Sequence, residues 1–191
     1  MAEPGIALRN GDALIVVDVQ RDFCPGGALP IENGDRVVPV LNRWIEAAIH
    51  RGVPIYASRD WHPRRHLSFV EFGGQWPPHC LQDSDGARFH PDLVLPQSAA
   101  IVTKGVRFDR DQYSAFDETG LASELLSRGV TRVWVGGLAQ DVCVRATVLD
   151  ARREGFDTMV IADGTLPVTP AGGENAAGEM QRAGAHFETT G

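Results

Sequence analysis

The sequence has few cysteines, no excess of basic residues and no long apolar run, and each absence excludes a class of protein. Three cysteines in 191 residues cannot all pair within one chain, which excludes a disulfide-rich secreted scaffold. The net charge of -7 argues against nucleic acid and anionic membranes as partners, since both select basic surfaces. No apolar run approaches the roughly 20 residues of a membrane span. The first residues lack the basic and apolar segments of a signal peptide, so we expect a cytoplasmic protein.

What is present is an ordinary globular composition, with 43% hydrophobic and 23% charged residues. Domains commonly contain about 100–200 residues, so we predict a single domain over residues 1–191. A compact chain of this length buries roughly 70% of the surface of its unfolded state. Its core therefore needs no disulfide or structural metal.

Short apolar runs alternate with helical patterns along the chain. The six predicted strands cover residues 13–18, 53–58, 99–104, 131–137, 157–163 and 185–188. The predicted helices cover residues 37–51, 119–128, 142–154 and 173–183. Strands that alternate with helices form βαβ units, and strands without polar alternation are covered on both faces. The sequence therefore predicts an α/β protein with three α/β/α layers and a parallel sheet.

Four residues with different functional groups lie at the ends of predicted strands. Asp18 ends the first strand, Asp60 follows the second, Lys104 ends the third and Cys143 follows the fourth. Sites in such sheets lie outside the carboxyl ends of the strands. Any one of these residues alone would be interpreted as a solvated charge in a loop. Four different functional groups at the same edge of the sheet indicate an active site.

The segment from 58 to 80 has the composition of a metal site. Asp60 and His62 are two residues apart, so their side chains point the same way on an extended segment. A carboxylate with an imidazole suits zinc, manganese or iron, and His66 or His79 would be the third ligand. The alternative is a polar loop whose histidines bond to the backbone.

Cys143 begins a predicted helix, where the partial positive charge favours a thiolate and backbone N–H groups can receive an oxyanion. The candidate base is Asp18. Proton transfer from a cysteine to an aspartate in water is uphill by roughly 6 kcal/mol. Burial of the carboxyl, the helix terminus and the nearby cation of Lys104 would close that gap. The alternatives for Cys143 are a disulfide, a metal ligand and a buried core thiol.

These residues lie in segments that resemble one family, the nicotinamidases (pyrazinamidases) of the isochorismatase-like cysteine hydrolases. The matching segments, between residues 16 and 151, are VVDVQRDFCPGGAL, SRDWHPRRHLSF, WPPHCLQDSDGARFHPDL, VTKG, YSAF and GGLAQDVCVRATVLDA. The resemblance implies the isochorismatase-like hydrolase fold, with six parallel strands in the order 3-2-1-4-5-6. It also implies hydrolysis of nicotinamide, and by extension pyrazinamide, to the acid and ammonia.

The resemblance assigns the catalytic roles. Asp18 is the base, Lys104 the cation and Cys143 the nucleophile. The peptide between Leu138 and Ala139 is commonly cis in the family, and the N–H groups of Ala139 and Cys143 form the oxyanion hole.

The resemblance also assigns one divalent metal ion, which holds the pyridine nitrogen of the substrate. Zinc is the first expectation, with iron and manganese as alternatives. The implied ligands are Asp60, His62 and His79, whereas His66 is a ligand in some relatives and a pocket residue in others. The implied walls of the pocket are Phe23, Trp76 and Tyr113. The partner is a small molecule, and relatives are often homo-oligomers.

The sequence departs from the family pattern at Arg21, Gln140 and Val142, which bear on substrate preference. Three other functions stay open. The first is a hydrolase of the same fold that acts on maleamate, an N-carbamoyl amine or isochorismate. The second is a metal hydrolase that activates water, and the third is a binding module without activity.

Overall fold

The structure is a computed structural model that describes residues 3–191. Six strands form one parallel sheet in the order β3-β2-β1-β4-β5-β6, which confirms the predicted order. The strands are β1 (Asp12–Val17), β2 (Ile55–Asp60), β3 (Ala100–Lys104), β4 (Arg132–Leu138), β5 (Asp157–Leu166) and β6 (His186–Glu188). Within the described residues, no helix has the length and apolar character that crossing a membrane requires.

Helices cover both faces of the sheet. The helices are α1 (Pro4–Ala7), α2 (Val37–Arg51), α3 (Leu121–Ser127), α4 (Arg145–Arg153) and α5 (Pro170–Arg182). One buried cluster joins α2 to the sheet, and a second joins α3, α4 and α5 to the opposite face. The three predicted layers are therefore present.

Strand β1 is buried along its whole length because helices pack on both of its faces. Leu14 and Val16 belong to the cluster on the α2 face, whereas Ala13, Ile15 and Val17 belong to the other cluster. Side chains alternate between the faces of a strand, so a strand that is covered twice must be apolar at nearly every position. This explains the uninterrupted apolar run in the sequence.

Most element boundaries differ from the prediction by a few residues, and two of the differences bear on the site. Helix α5 begins at Pro170 rather than at residue 173, because the hydroxyl of Thr169 accepts a hydrogen bond from the N–H of Gly172 and caps the helix. The predicted helix over 142–154 is divided, with a π-helical turn over Gln140–Val144 followed by α4. Such π-helical turns are frequent at functional sites.

The strand order reverses between β1 and β4, and this position determines where a ligand can bind. From β1 the chain adds β2 and β3 on one side, and β4, β5 and β6 on the other. The connections after β1 and β4 therefore separate and leave a crevice at the carboxyl ends of the strands. Val17 is aligned with Ser58 of β2 and with Gly137 of β4, so Asp18 enters this crevice at its centre.

Gly137 allows β4 to approach β1 closely just before the π-helical turn over Gln140–Val144, which we call the cysteine turn because it contains Cys143. It has φ 131°, and a methyl group there would lie 2.0 Å from the carbonyl oxygen of Val17. We expect Gly137→Ala to lower the free energy of unfolding by about 3 kcal/mol or more, because neither backbone can move away without breaking the sheet. Urea unfolding measures the loss.

The matched control is Gly155→Ala, where φ is also positive (90°) but the space around the new methyl is open. The control should cost about 1 kcal/mol, from the backbone conformation alone. Equal losses in the two variants would contradict a specific effect of the close approach.

Candidate active site

The ammonium group of Lys104 lies at the centre of the site. Lys104 is the only lysine in the chain, and its side chain is fully buried at the end of β3. Its Nζ lies 2.7 Å from Oδ2 of Asp18, 2.6 Å from Oδ1 of Asp60 and 3.5 Å from Sγ of Cys143. Burial alone would lower the pKa of Lys104, but the two carboxylates raise it well above its ordinary value. Three of the four residues predicted at the strand ends, Asp18, Asp60 and Cys143, therefore surround the ammonium group of the fourth, Lys104.

Asp18 follows β1 and is fully buried, with φ 48° in the left-handed region that non-glycine residues rarely adopt. Its Oδ1 accepts a hydrogen bond of 2.6 Å from the hydroxyl of Ser58. Burial raises the pKa of Asp18 despite the attraction of Lys104. A carboxyl with a raised pKa can hold a proton between reaction steps, as a general base requires.

Asp60 is the last residue of β2, and its two oxygens face different partners. Oδ1 contacts Lys104, while Oδ2 lies 3.6 Å from Nε2 of His62. Burial alone would raise the pKa of Asp60, but Lys104 and then His62 lower it below its ordinary value. The buried amide of Gln20 donates to the Asp60 carbonyl and accepts from the Asp60 N–H, both at 2.8 Å. Asp60 is therefore a fixed carboxylate.

Cys143 lies in the π-helical turn, with only 5% of its surface exposed. Burial raises the pKa of its thiol well above the ordinary value, although Lys104 acts in the opposite direction. Desolvation therefore opposes the predicted effect of the helix terminus. The peptide between Leu138 and Ala139 is cis. Val142 and Val144 donate their N–H groups to the Ala139 carbonyl, which folds the turn around Cys143.

Asp60, His62 and His79 are close enough together to hold a metal ion. One potential ligand atom from each lies within 4.8 Å of the others, and all three side chains are buried. Nδ1 of His62 contacts the Gly105 carbonyl at 2.9 Å, and Nδ1 of His79 contacts the Pro77 carbonyl at 2.8 Å. Those contacts fix each ring and leave Nε2 for a metal. The donor set, one carboxylate and two imidazoles, fits a divalent ion such as zinc.

His66 lies beside this group rather than in the wall of the pocket. Its ring centre is 4.4 Å from that of His62, its side chain is fully buried, and Nδ1 contacts the Ser68 hydroxyl at 2.7 Å. Its Nε2 has no hydrogen-bond partner among the described residues. A second group of potential ligands joins His62 and His66 to Asp111. The resemblance gives His66 two possible roles, metal ligand and pocket residue. The position of His66 in the structure agrees better with the first.

One pocket connects the cysteine to the potential metal ligands. It is lined by Phe23, Leu29, Pro30, Ile31, Asp60, His62, Trp76, His79, Asp111, Tyr113, Ala139, Val142, Cys143 and Val168. The three aromatic residues predicted as walls are all included. Trp76 donates its indole N–H to the Tyr113 hydroxyl at 3.0 Å, which fixes both rings. The pocket therefore offers aromatic and aliphatic walls with a nucleophile and a ligand set in the same space.

Sequence reasoning missed several residues that support the site. Gln20 and Ser58 hold the two carboxylates, as described above. The carboxylate of Asp22 accepts the N–H groups of Ala28 at 3.0 Å and Cys80 at 2.7 Å, which joins two loops at the pocket. The signal was available for Gln20 and Asp22, because both lie in the same DVQRDF segment as Asp18 and Phe23. The aliphatic residues from 29 to 31 and Val168 had no comparable signal, since they reach the pocket from separate loops.

The sequence of the chain is matched by a known family. The isochorismatase domain matches residues 12–191. The chain belongs to the isochorismatase family. Curated relatives in the family include the nicotinamidase of Escherichia coli (strain K12), which is 40% identical over 200 residues, covering 93% of this chain and 94% of the relative. Membership in the family and relatives of this kind identify the chain as an amidohydrolase.

Solved structures of the family agree with the fold. The pyrazinamidase of Pyrococcus horikoshii in complex with zinc superposes with a TM-score of 0.91 and 44% identity, covering 94% of this chain and 99% of that one. The PnC1 protein of L. infantum in complex with nicotinate superposes with a TM-score of 0.86 and 37% identity, covering 96% of each chain. The sheet order and the α/β/α layers are thus those of the family.

The buried ion cluster leads to a prediction about stability. Lys104→Met leaves the carboxylates of Asp18 and Asp60 buried without a cation. We expect the free energy of unfolding to fall by about 3–5 kcal/mol, as when one partner of a buried ion pair is removed. Urea unfolding of the variant and the wild type gives the difference.

The control is Arg128→Met, which breaks an exposed pair with Glu124 at 2.6 Å. That change should cost less than about 1 kcal/mol. Adding Asp60→Asn to Lys104→Met should recover part of the loss. A Lys104 variant as stable as the Arg128 variant would show that the cluster does not support the fold.

Proposed function

We propose that the chain is a nicotinamidase, which hydrolyses nicotinamide to nicotinate and ammonia and accepts pyrazinamide in the same way. The observation that carries the proposal is the single pocket lined by Cys143, by the Asp60–His62–His79 group and by aromatic walls. A flat heteroaromatic amide has the features that these three elements complement: an amide carbon, a ring nitrogen and two faces. The names of the relatives support this choice of substrate.

In the proposed first half-reaction, Asp18 removes the proton of Cys143 and the sulfur attacks the amide carbon. One carboxylate oxygen of Asp18 and the sulfur belong to a group whose members lie within 4.8 Å of one another. Lys104 contacts both groups, so it stabilises the negative charge as it moves from the carboxylate to sulfur and back. The oxyanion of the tetrahedral intermediate binds the N–H groups of Ala139 and Cys143.

Asp18 then returns its proton to the leaving nitrogen, and ammonia departs from the tetrahedral intermediate to leave a thioester on Cys143. In the second half-reaction, Asp18 accepts a proton from a water molecule whose oxygen attacks the thioester; the acid is released, and Asp18 returns this proton to the leaving sulfur of Cys143. A single buried carboxyl thus serves twice as a base and twice as an acid. Its raised pKa suits this role, because the protonated form must persist until the leaving group needs it.

The proposed metal ligands are Asp60, His62 and His79, with His66 beside them. A divalent ion bound there holds the pyridine nitrogen and orients the ring. Burial lowers the pKa of His79 and of His66, which favours the neutral ring that ligation requires, whereas at His62 the effect of burial is outweighed by Asp60, which raises the pKa. Lys104 fixes the opposite oxygen of Asp60, so the same carboxylate couples the ligand group to the catalytic lysine.

The decisive experiment is an assay of ammonia release from nicotinamide, pyrazinamide, maleamate and N-carbamoylsarcosine, with and without a chelator. We expect turnover of the two heteroaromatic amides and loss of that turnover after chelation. Cys143→Ala should lower kcat by on the order of a thousandfold or more in a folded protein, because the nucleophile is gone.

Cys24→Ala is the matched control, since Cys24 is a buried thiol whose pKa is raised to about 11 by burial. It should retain turnover. Activity only on maleamate or N-carbamoylsarcosine, unaffected by chelator, would favour the related hydrolases. Full activity of the Cys143 variant would instead favour water activated by a metal ion.

Metal content tests the ligand assignment separately from activity. We expect the purified protein to hold one equivalent of a divalent metal, and His79→Ala to lose most of it, because two ligands remain in place of three. Elemental analysis by mass spectrometry measures the loss. His50→Ala, which changes an exposed histidine on α2, should leave the metal content unchanged. Equal metal content in both variants would contradict the assignment.

A further inference from the structure

Asp141 precedes the cysteine by two residues and binds a segment far away in the sequence. Its Oδ1 accepts a hydrogen bond of 2.8 Å from the N–H of Val168, and its Oδ2 lies 3.4 Å from the N–H of Thr169. The side chain therefore joins the π-helical turn that carries Cys143 to the segment between β5 and α5. None of the reaction steps proposed above uses Asp141.

Two glycines at the start of α5 allow this contact. A methyl group on Gly172 would lie 2.2 Å from Oδ2 of Asp141, and one on Gly173 would lie 2.8 Å from Pro167. The N–H of Gly172 also donates to the hydroxyl of Thr169 at 3.1 Å. The beginning of the helix thus lies directly against the cysteine turn, with no room for a side chain between them.

Val168, whose N–H binds Asp141, is one of the pocket-lining residues. It leaves 43% of its surface exposed, although it shares the pocket with Cys143 and Val142. An apolar side chain with so little cover is held in place mainly by its backbone. The hydrogen bond to Asp141 is therefore the shortest link between the cysteine turn and this part of the wall, beside longer contacts of Asp141 with Thr169 and of Gln140 with Gly173.

We propose that Asp141 is a positioning residue, which fixes Val168 over the pocket and thereby sets how tightly the ring of the substrate is held. The inference rests on the proposed function for the identity of the substrate. Asp141 touches neither the ion cluster around Lys104 nor the potential metal ligands, so its effect falls on binding rather than on the chemical steps. A mutation that removes uniform binding raises KM and leaves kcat unchanged.

The first test is steady-state kinetics with nicotinamide. Asp141→Ala should raise KM about tenfold, which corresponds to the loss of one hydrogen bond to a charged group, with kcat within about threefold of the wild type. Asp141→Asn should raise KM less, because its amide oxygen can still accept from the N–H of Val168. If Asp141 only supported folding, its removal would lower the fraction of active enzyme. The apparent kcat would then fall while KM stayed unchanged.

The second test approaches the same contact from the helix. Gly172→Ala should displace the carboxylate and raise KM as Asp141→Ala does, and the double variant should be no worse than the more affected single variant. Gly178→Ala lies on the same helix, where the new methyl approaches only the flexible end of Arg182. It should leave KM and kcat unchanged. Additive effects at 141 and 172 would overturn the proposed contact.

The third test does not depend on the substrate. Iodoacetamide should alkylate Cys143 at least about threefold faster in Asp141→Ala than in the wild type, because the wall over the sulfur opens more often. Peptide mass spectrometry separates Cys143 from the two other cysteines. An unchanged alkylation rate with an unchanged KM, or a fall in kcat at constant KM, would overturn the inference. A wild-type enzyme that is inactive on both heteroaromatic amides would instead overturn the proposed function, and the alkylation result would still decide the role of Asp141.

Discussion

One buried ammonium group, that of Lys104, determines how the carboxyl ends of three adjacent strands are arranged. Two carboxylates that both lie within 3 Å of the same nitrogen would repel each other without it. Because Asp18, Asp60 and Lys104 come from β1, β2 and β3, their attraction also fixes the relative position of those strand ends. The catalytic and the potential metal-binding parts of the site therefore share one electrostatic centre.

The fold supplies this centre at the only point of the sheet where strand order reverses. A parallel sheet brings all carboxyl ends to one edge, and the reversal between β1 and β4 opens a crevice there. Asp18 enters the crevice from the central strand, and the cysteine turn enters it from the neighbouring one. Loops from elsewhere in the chain then add the aromatic and aliphatic walls. The ends of three strands position Asp18, Asp60 and Lys104, whereas loops supply most of the pocket wall.

Much of this arrangement could be predicted from the sequence, for physical reasons that differ between residues. Asp18 and Lys104 could be found because apolar runs reveal where strands end. Val168 could not, because its place in the pocket depends on a tertiary hydrogen bond to Asp141. The raised pKa of the Cys143 thiol could not be predicted either, since helix position is visible in a sequence but burial of the sulfur is not.

The lone lysine has a consequence for the chemistry of the protein surface. Apart from the histidines, every other basic residue in the chain is an arginine, so the folded protein presents no lysine amine to solvent. Acylating reagents and amine-directed cross-linkers would find no lysine target on the native molecule, and enzymes that modify lysines would meet the same obstacle. Acylation of Lys104 would therefore report that the carboxyl end of the sheet has opened, which makes this buried lysine an internal probe of unfolding.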